Sequence, residues 1–506
     1  MSVLVLQTPC LLLDLARIRR NAARMSEVAR RNNVRLRPHV KTHKCIEVAR
    51  IQTEGHNGAI TVSTLAEARA FAMHGFNDIT YAVPIERGKF DRAIEILKSG
   101  VKLNLLTDDA ATVNDLEAAA GKAGVRFDVF VKIDSGTHRV GVEPHTPEAI
   151  EIPRQLSDAK NLNFAGILTH AGHSYDAKSA AGILEVAQHE RDAMVALAER
   201  LRADGIDVPT VSIGSTPTMS TVDHLNGIDE IRPGNYIFFD NFQATLGSCS
   251  FEDTALTVLA AVIHKDVSRR KLVIDAGAIA LSKDRGPVGI DPRCGYGRVL
   301  DVEGNETGMR VTGLSQEHGE IEAGEIDVFD RLKVGDRVRV LANHSCLTAA
   351  QHSHFNVFEN GEILVKRELL THVTDAAADL LGLRLQIEPR NFRFARRWLE
   401  QADEHLDGSR LARSVGAEEA EHFAGFDGER DMIDSREASK AAGEIGGDYC
   451  RLVGCCARHA HDACCAGLIS SMKLSSMPAS MGSRFTSVNP FALRYSRMSA
   501  MTCCGS

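Results

Sequence analysis

The chain has 506 residues, 44% of them hydrophobic and 25% charged, which is typical of a globular protein with two or three domains. The net charge of −8 argues against a general role in binding nucleic acid or anionic membranes. No apolar run approaches the roughly 18 residues that a membrane span needs. The opening MSVLVLQTPCLLLDL lacks a basic start and contains Asp14, so we do not expect a signal peptide. The cysteines before residue 370 are singly placed, as is typical of reduced thiols, and we expect a cytoplasmic protein.

Helical and strand patterns alternate from residue 15 to about 240. Eight short apolar stretches, separated by helix-length segments, are typical of buried parallel strands: VRLRPHV, AITVS, DITYAV, VKLNLL, FDVFVKI, FAGILTH, TVSIG and DEIRPG. This pattern predicts an N-terminal (β/α)8 barrel over residues 1–245 rather than an open doubly wound sheet. No GxGxxG motif follows the first strand, which also disfavours a dinucleotide-binding fold.

Polar and cationic residues lie at the carboxyl ends of most of these predicted strands. In a (β/α)8 barrel, the catalytic groups lie at the carboxyl ends of the strands. The sequence therefore predicts a ring of site residues there: Lys41, His43, Ser63, Thr64, Asp134, His138, Arg139, Thr169, His170, Ser215, Thr216, Gly234 and Asn235.

The pattern changes twice after the barrel. Short strands and turns without long helices predict a mostly antiparallel β domain over residues 246–370. Residues 371–506 have few sustained apolar periods, and we expect a partly helical, largely disordered extension. Metal binding by the three Cys-Cys pairs of this extension is an alternative, although adjacent cysteines lack the C-x₂-C spacing that holds zinc easily.

The stretch RLRPHVKTHK, residues 35–44, is strongly basic and ends the first barrel strand. A lysine among other cations has its charged form disfavoured, so its amine becomes a better nucleophile. Arg37, His39 and Lys44 are close enough in sequence to act on Lys41 in this way. A solvated basic loop is the alternative.

Two later strand ends are candidate anion-binding loops. SIGSTPT (212–218) and RPGNY (232–236) place glycines and hydroxyl residues where backbone N–H groups could converge on phosphate oxygens. In barrels, the loops after strands 7 and 8 frequently form a phosphate site. Each motif alone is also ordinary loop chemistry.

Two further motifs carry candidate site residues. In VKIDSGTHRVG, Arg139 follows a strand and could hold a phenolate or carboxylate, or form a structural ion pair. In VRVLANHSC, a continued strand would place His344 and Cys346 on one face, where both could reach one metal ion. Imidazole with thiolate favours zinc. The alternative is a core cysteine beside a hydrogen-bonded histidine.

Residues 5–370 resemble the pyridoxal-phosphate (PLP) enzymes of the alanine-racemase-like barrel class, in the branch of D-serine dehydratase, D-threo-3-hydroxyaspartate dehydratase and D-threonine aldolase. The resemblance is carried by RPHVKTHK, GAITVSTLAEA, IDSGTHRVGV, GILTHAGHSY, VSIGSTPT, EIRPGNYIFFD, SKDRG, SQEHG and NHSC. It implies that Lys41 binds PLP covalently, that Arg139 contacts the ring oxygen, and that the metal ligands are His344 and Cys346. It also implies pocket positions for His170 and Tyr175 and a phosphate site near Gly214, Ser215, Thr216, Gly234, Asn235 and Tyr236.

The resemblance further implies a homodimer that acts on a small D-amino acid, with zinc as the expected metal and manganese or cobalt as alternatives. It associates a thiolate ligand with dehydratases and a carboxylate ligand with aldolases, so Cys346 favours a dehydratase. Such an enzyme eliminates water, and hydrolysis of the product gives a 2-oxo acid and ammonia. D-Threonine aldolase activity is the alternative. A non-catalytic PLP carrier resembles the barrel alone, and a racemase would need a tyrosine base that we do not find in the second domain.

Overall fold

The computed structural model describes residues 3–368 of the chain. The predicted extension over residues 371–506, with its Cys-Cys pairs, lies outside the described residues. Among the described residues, no helix has both the length and the apolar composition that crossing a membrane requires.

The first strand and helix connect the two sheets of the protein. Strand β1 (Cys10–Asp14) leads directly into helix α1 (Leu15–Arg31), which Asp14 caps by accepting the Arg17 N–H at 3.0 Å. The apolar face predicted from the residue spacing is buried: Ile18, Ala22 and Met25.

Eight parallel strands follow and form one continuous sheet. They are β2 (Arg35–Leu36), β3 (Ile60–Val62), β4 (Asp78–Tyr81), β5 (Lys102–Thr107), β6 (Phe127–Lys132), β7 (Leu162–Leu168), β8 (Val211–Ile213) and β9 (Glu230–Ile231). Their spatial order is β2-β9-β8-β7-β6-β5-β4-β3. A parallel bridge between His39 and Thr61 joins the two edges, so the sheet curls into the predicted barrel. Each strand corresponds to one of the eight predicted stretches.

Helices alternate with these strands, as the barrel prediction requires. They are α2 (Ile46–Thr53), α3 (Leu65–Ala72), α4 (Phe90–Lys98), α5 (Ala110–Ala123), α6 (Glu148–Asp158), α7 (Ala180–Ala203), α8 (Thr216–Thr221) and α9 (Asn241–Leu246). Short 3₁₀ turns lie at two strand ends that matter for the site, Val40–Thr42 after β2 and Asn235–Ile237 after β9.

The second sheet is mostly antiparallel, as predicted. Its strands are β1 with β10 (Leu256–Asp266), β11 (Lys271–Ile274), β12 (Gly297–Leu300), β13 (Glu306–Leu314), β14 (Gly319–Glu322), β15 (Arg337–Ala342), β16 (His354–Glu359) and β17 (Glu362–Glu368). The order is β11-β14-β13-β12-β15-β10-β1-β16-β17, and β10 also pairs with β11, which closes a small barrel. Three short helices complete this region: α10 (Ala278–Leu281), α11 (Val328–Arg331) and α12 (Ser345–Ala349).

Strand β1 lies in the second sheet although it precedes the barrel in the chain. It pairs antiparallel with β10 and parallel with β16. The buried leucines of β1 alternate between the main core (Leu11 and Leu13) and a smaller cluster that contains Leu12 and Leu259. The first residues of the predicted 1–245 domain therefore tie the barrel to the β-rich region.

Candidate active site

Lys41 projects from the 3₁₀ turn that follows β2. Val40 and Thr42 on either side are buried, while Lys41 is exposed. His39 caps the turn, and its Nδ1 accepts the Lys41 N–H at 3.4 Å. The turn therefore holds the backbone in place and leaves the Lys41 amine free, since it forms no ion pair with any residue in 3–368.

Two of the cations that were predicted to act on Lys41 are held in ion pairs. Arg37 is buried in ion pairs with Glu230 at 2.8 Å and Asp78 at 2.6 Å, and Lys44 pairs with Glu67 at 3.3 Å. These acids come from distant parts of the chain. The basic stretch is therefore mostly neutralised by structural ion pairs.

The histidines of the same stretch are also kept neutral. Burial lowers the pKa of His43 to about 4, and its Nε2 bonds Gln52 Oε1 at 2.8 Å. Burial, followed by the charges of Lys41 and Arg232, lowers the pKa of His39 well below its usual value. Lys41 is therefore the unpaired cation of this strand end within the described chain.

Two loops at the ends of β8 and β9 form a cradle next to the lysine turn. Gly234 contacts that turn so closely that a Cβ would lie 2.8 Å from the His39 carbonyl oxygen. The Tyr236 N–H donates to Thr216 Oγ1 at 3.0 Å, which joins the two loops. Within residues 3–368, the N–H groups of Thr216, Gly234 and Asn235 have no hydrogen-bond acceptor. Free backbone donors at such loop ends suit a phosphate group.

The cradle has the backbone donors that the sequence predicted, but the hydroxyl group of Ser215 is already engaged. Ser215 Oγ already bonds Thr218 Oγ1 and Ser174 Oγ, each at 3.0 Å, within the capping box of α8. The Tyr236 ring is fully buried in the core. Gly214 adopts a φ of +112°, which lets its loop turn sharply under the cradle.

The Asn235 side chain faces the β-rich region instead of the cradle. Its Nδ2 donates to Asp240 Oδ2 at 2.9 Å, Ser345 Oγ at 3.0 Å and Cys346 Sγ at 3.4 Å. Asn235 therefore connects the predicted phosphate loop with the predicted metal ligands.

Three other predicted residues lie at this end of the barrel. His170 Nδ1 bonds the Gly214 carbonyl oxygen at 3.3 Å, and burial, with the charges of Lys41 and Lys132, lowers the pKa of His170 well below its usual value. Its Nε2 is consequently the unprotonated nitrogen. Burial and the nearby Cys346 raise the pKa of Tyr175 well above its usual value. Arg139 is exposed and forms no ion pair in the described part of the chain. The alternative role of Arg139, a structural ion pair, is therefore not observed among these residues.

Sequence reasoning missed a buried charged group beneath the pocket. Arg232 donates through Nε to Ser212 Oγ at 2.9 Å and through Nη2 to the Thr169 carbonyl. Glu190 Oε1 accepts the N–H groups of Ala171 at 3.0 Å and Gly214 at 3.2 Å. A signal was available, because Arg232 lies two residues before Gly234 in the motif RPGNY.

Lys132 is the second buried cation of this group. It is 6% exposed and donates to the Ile133 carbonyl oxygen at 2.8 Å. Burial, reinforced by the charge of Arg232, lowers the pKa of Lys132 to about 7. Its position at the end of β6 in the motif VKIDSG was the available signal.

His344 and Cys346 meet, but not on a strand face. Strand β15 ends at Ala342, His344 caps helix α12, and Cys346 is the second residue of that helix. The predicted period of two residues therefore fails, and a strand-to-helix junction brings the two side chains into contact. Each of them alters the pKa of the other through a hydrogen bond and their opposite charges.

Asp284 orients the histidine. Its Oδ2 lies 3.0 Å from His344 Nδ1, so that nitrogen is the donor and Nε2 is left to face Cys346. Burial disfavours both charges, but Cys346 and Asp284 together raise the pKa of His344, and His344 lowers the pKa of Cys346. A carboxylate that fixes a histidine in this way is the usual support of a metal ligand.

The donor set fits a divalent metal held by two side chains. Among the described residues, no third histidine, cysteine or acid joins the pair in a metal-binding group. Imidazole nitrogen and thiolate sulfur are ligands that zinc accepts, and two protein ligands leave coordination positions for substrate and water. The two predicted side chains thus meet, although in a different local geometry from the one predicted.

The lysine turn and the His–Cys pair lie in direct contact. The Cys346 thiol donates to Thr42 Oγ1 at 3.3 Å, and Thr42 is the residue after Lys41. The charge of Lys41 also acts on the pKa of Cys346. The free amine of Lys41, the loops with free backbone donors and the His344–Cys346 pair therefore lie together.

Comparison with known proteins agrees with this combination. Residues 13–242 match the model of the alanine racemase N-terminal domain, and residues 255–358 match that of a serine dehydratase domain. D-threo-3-Hydroxyaspartate dehydratase of Delftia sp. (strain HT23) is 40% identical over 356 residues, which cover 69% of this chain and 93% of that protein. The chain belongs to the family of this dehydratase. D-Serine dehydratase of Dictyostelium discoideum is 36% identical, over 71% of this chain and 95% of the relative.

Solved structures of the family show the same fold. The Delftia dehydratase has a TM-score of 0.71 at 38% identity, covering 73% of this chain and 99% of that one. Two further structures are of D-threo-3-hydroxyaspartate dehydratase mutants, one with a histidine replaced by alanine and one with a cysteine replaced by alanine in the metal-free form, and the two substituted residues are two positions apart. D-Threonine aldolase from Filomicrobium marinum has a TM-score of 0.64 at 26% identity, covering 73% of this chain and 96% of that one.

Proposed function

We propose that this family member is a PLP- and metal-dependent dehydratase that eliminates water from a D-3-hydroxy amino acid, D-threo-3-hydroxyaspartate or D-serine. Hydrolysis of the resulting enamine takes up one water molecule and gives ammonia and a 2-oxo acid. The observation that carries this proposal is the contact of Cys346 with Thr42, because it places a metal ligand beside the lysine turn. Elimination of water from a 3-hydroxy amino acid needs the lysine at the α-carbon and the metal at the hydroxyl group.

In this proposal, Lys41 holds PLP, and the phosphate lies at the free N–H groups of Thr216, Gly234 and Asn235. Gly214, Ser215 and Tyr236 shape the cradle around it, while Arg139, His170 and Tyr175 surround the ring. When bound, PLP supplies an electron-accepting ring that makes the α-proton of the substrate acidic. Lys41 is the base that removes this proton, since its amine is unpaired within residues 3–368 and lies at the mouth of the barrel.

His344 Nε2 and Cys346 Sγ hold the metal in this proposal. A metal there supplies Lewis acidity at the 3-hydroxyl, which is otherwise a poor leaving group. Asp284 keeps His344 in the tautomer that can bind the metal, and Thr42 and Asn235 fix the Cys346 sulfur from two sides. Zinc is the expected metal, with manganese or cobalt as alternatives.

The thiolate ligand favours the dehydratase over the aldolase alternative. The Delftia relative is a dehydratase, and a cysteine-to-alanine mutant of a D-threo-3-hydroxyaspartate dehydratase is described as metal-free. The histidine and the cysteine substituted in the two mutants have the spacing of His344 and Cys346. A carrier that consists of the barrel alone would not need the β-rich region that supplies this pair. We also propose a homodimer in the cytoplasm, with the barrel over residues 1–245, the β domain over 246–370 and an extension over 371–506.

Product identification tests the proposal. The purified protein with PLP and Zn²⁺ is offered D-threo-3-hydroxyaspartate, D-serine and D-threonine. Oxaloacetate or pyruvate with ammonia supports the dehydratase, whereas glycine with an aldehyde supports the aldolase. Chelation with EDTA should abolish activity and added Zn²⁺ or Mn²⁺ should restore it. Full activity in the chelator would contradict the metal role.

A further inference from the structure

Asn235 takes part in both halves of the site. Its backbone N–H is one of the cradle donors that have no acceptor within residues 3–368, and its side chain donates to Cys346 Sγ at 3.4 Å. We propose that Asn235 is a positioning residue that couples the two binding sites, so that the PLP phosphate and the metal each raise the affinity of the protein for the other. This inference rests on the proposed function and adds a cooperative assembly of its site.

The two contacts of Asn235 belong to one short, buried residue. Asn235 is 4% exposed, and only a few covalent bonds separate its backbone nitrogen from Nδ2. Its carbonyl oxygen accepts the N–H groups of Phe238 at 3.0 Å and Phe239 at 2.8 Å, which fixes the backbone behind the cradle. A close-packed interior leaves little room for the side chain to turn independently. A group that fixes one end of Asn235 therefore also limits the other end.

Three acceptors fix the orientation of the Asn235 side chain. Its Nδ2 donates to Asp240 Oδ2 at 2.9 Å and to Ser345 Oγ at 3.0 Å, in addition to Cys346 Sγ. Turning the amide over would place its oxygen against the Asp240 carboxylate, so the network assigns nitrogen to this side. Oδ1 is buried and has no partner among the described residues. An unpaired buried oxygen costs about 1–3 kcal/mol, so the Nδ2 contacts hold this orientation against a penalty.

Asp240 connects the same network to the backbone between the two metal ligands. Its Oδ2, which accepts Asn235 Nδ2, also accepts the Ser345 N–H at 2.9 Å and the Ser345 hydroxyl at 3.2 Å. Ser345 lies between His344 and Cys346 in the chain and is the first residue of α12. Asp240 is itself 1% exposed. One buried carboxylate therefore ties the position of both metal ligands to Asn235.

Coupling follows because both ligands need the same arrangement of this network. A phosphate at the Asn235 N–H fixes the residue from the barrel side, and a metal on Cys346 fixes the sulfur that Nδ2 contacts. The ligand that binds first orders the network, and the second ligand finds it already ordered. By linkage, the factor by which the metal strengthens PLP binding equals the factor by which PLP strengthens metal binding. Such factors are typically about 5- to 150-fold.

A second route between the two sites runs through Thr42. The Cys346 thiol donates to Thr42 Oγ1 at 3.3 Å, and Thr42 follows Lys41 in the chain. Coupling through Thr42 would depend on the bond between the cofactor and Lys41, whereas coupling through Asn235 depends on the phosphate. Pyridoxal lacks the phosphate but keeps the aldehyde that reacts with a lysine. Comparison of PLP with pyridoxal therefore distinguishes the two routes.

The test measures cofactor affinity of the full chain with and without an equimolar amount of Zn²⁺. Titration followed by the absorption of the lysine-bound cofactor should give a PLP dissociation constant at least about 5-fold lower with zinc bound, and an unchanged constant for pyridoxal. In Asn235→Ala, which keeps the backbone N–H but removes the amide, zinc should no longer change the affinity for PLP. Asn241→Ala is the matched control and should keep the zinc effect. Asn241 Nδ2 also joins this end of the barrel to the second domain, through Asn343 Oδ1 at 2.7 Å, but it has no hydrogen bond to Cys346 in the described chain.

Three results would each overturn the coupling through Asn235: a zinc effect on wild-type PLP affinity below about 5-fold, an equal effect on pyridoxal, or an equal effect in Asn235→Ala. The pyridoxal comparison uses the wild type and decides the matter even if Asn235→Ala does not fold. Because no turnover is measured, this test is separate from the dehydratase proposal. If the coupling is found but no 2-oxo acid forms, the dehydratase proposal fails and the coupling stands. If the 2-oxo acid forms without the coupling, only this inference fails.

Discussion

Replacing Asp284 by asparagine tests how the metal-binding pair is built. Asp284 Oδ2 accepts a hydrogen bond from His344 Nδ1 at 3.0 Å and keeps Nε2 available for the metal. Asparagine has nearly the same shape but lacks the charge, and its amide can also donate, so the tautomer of His344 is no longer fixed. Removing such a carboxylate typically costs about 10- to 100-fold in metal affinity. At about 1.4 kcal/mol per tenfold, the expected loss is about 1.4–2.8 kcal/mol of binding free energy.

A competition titration of Zn²⁺ against a chromogenic chelator measures this loss directly. Asp330→Asn is the control, because Asp330 also forms an ion pair in the second domain, with Arg270 at 3.0 Å, but lies in α11 rather than near α12. Activity at saturating Zn²⁺ should recover in part in Asp284→Asn, since His344 and Cys346 both remain. Unchanged zinc affinity in a folded Asp284→Asn protein would refute the assigned role of Asp284.

Three further predictions concern the barrel. Gly234→Ala should destabilise the protein by about 1–3 kcal/mol in urea unfolding and lower PLP occupancy, because the new Cβ would lie 2.8 Å from the His39 carbonyl oxygen. Gly182→Ala is the control and should have neither effect, because its Cβ would have no contact closer than 3.6 Å. Burial lowers the pKa of Lys132 from 10.5 to about 7, so between those pH values the unfolded chain binds a proton that the folded chain does not. The free energy of unfolding of the wild type should therefore rise with pH in that window relative to Lys132→Met, by at most about 1.4 kcal/mol per pH unit, and equal pH slopes would count against this account. Arg37→Leu should cost about 3–5 kcal/mol of unfolding free energy, since it removes the nearest cation from the buried Glu230 and the half-buried Asp78, and a loss below about 1 kcal/mol would contradict the pairing.

The barrel was predictable because its signals are local. Each strand is a short apolar run, and each following helix has its own apolar spacing, so the alternation is visible in the chain. The pairing of β1 with β10 and β16 was not visible, because no local pattern distinguishes a strand of the second sheet from the first strand of a barrel. Only the tertiary structure shows that the leucines of β1 pack against the β-rich region.

The sequence predicted which residues lie at the site better than it predicted how they are arranged. His344 and Cys346 were found from their types and spacing, yet the chain turns from strand to helix between them. The ion pairs of the basic stretch could not be predicted because Glu230, Asp78 and Glu67, which form them, are far away in sequence. Charge compensation of this kind depends on long-range contacts that a sequence pattern does not contain.

Anomalous X-ray diffraction from crystals grown with PLP and Zn²⁺ tests the central claim most directly. The account predicts zinc bound to His344 and Cys346, PLP joined to Lys41 with its phosphate at Thr216 and Gly234, and the two separated by no more than the length of one amino acid. Zinc bound elsewhere, or PLP too far from it for a single substrate to reach both, would contradict the account.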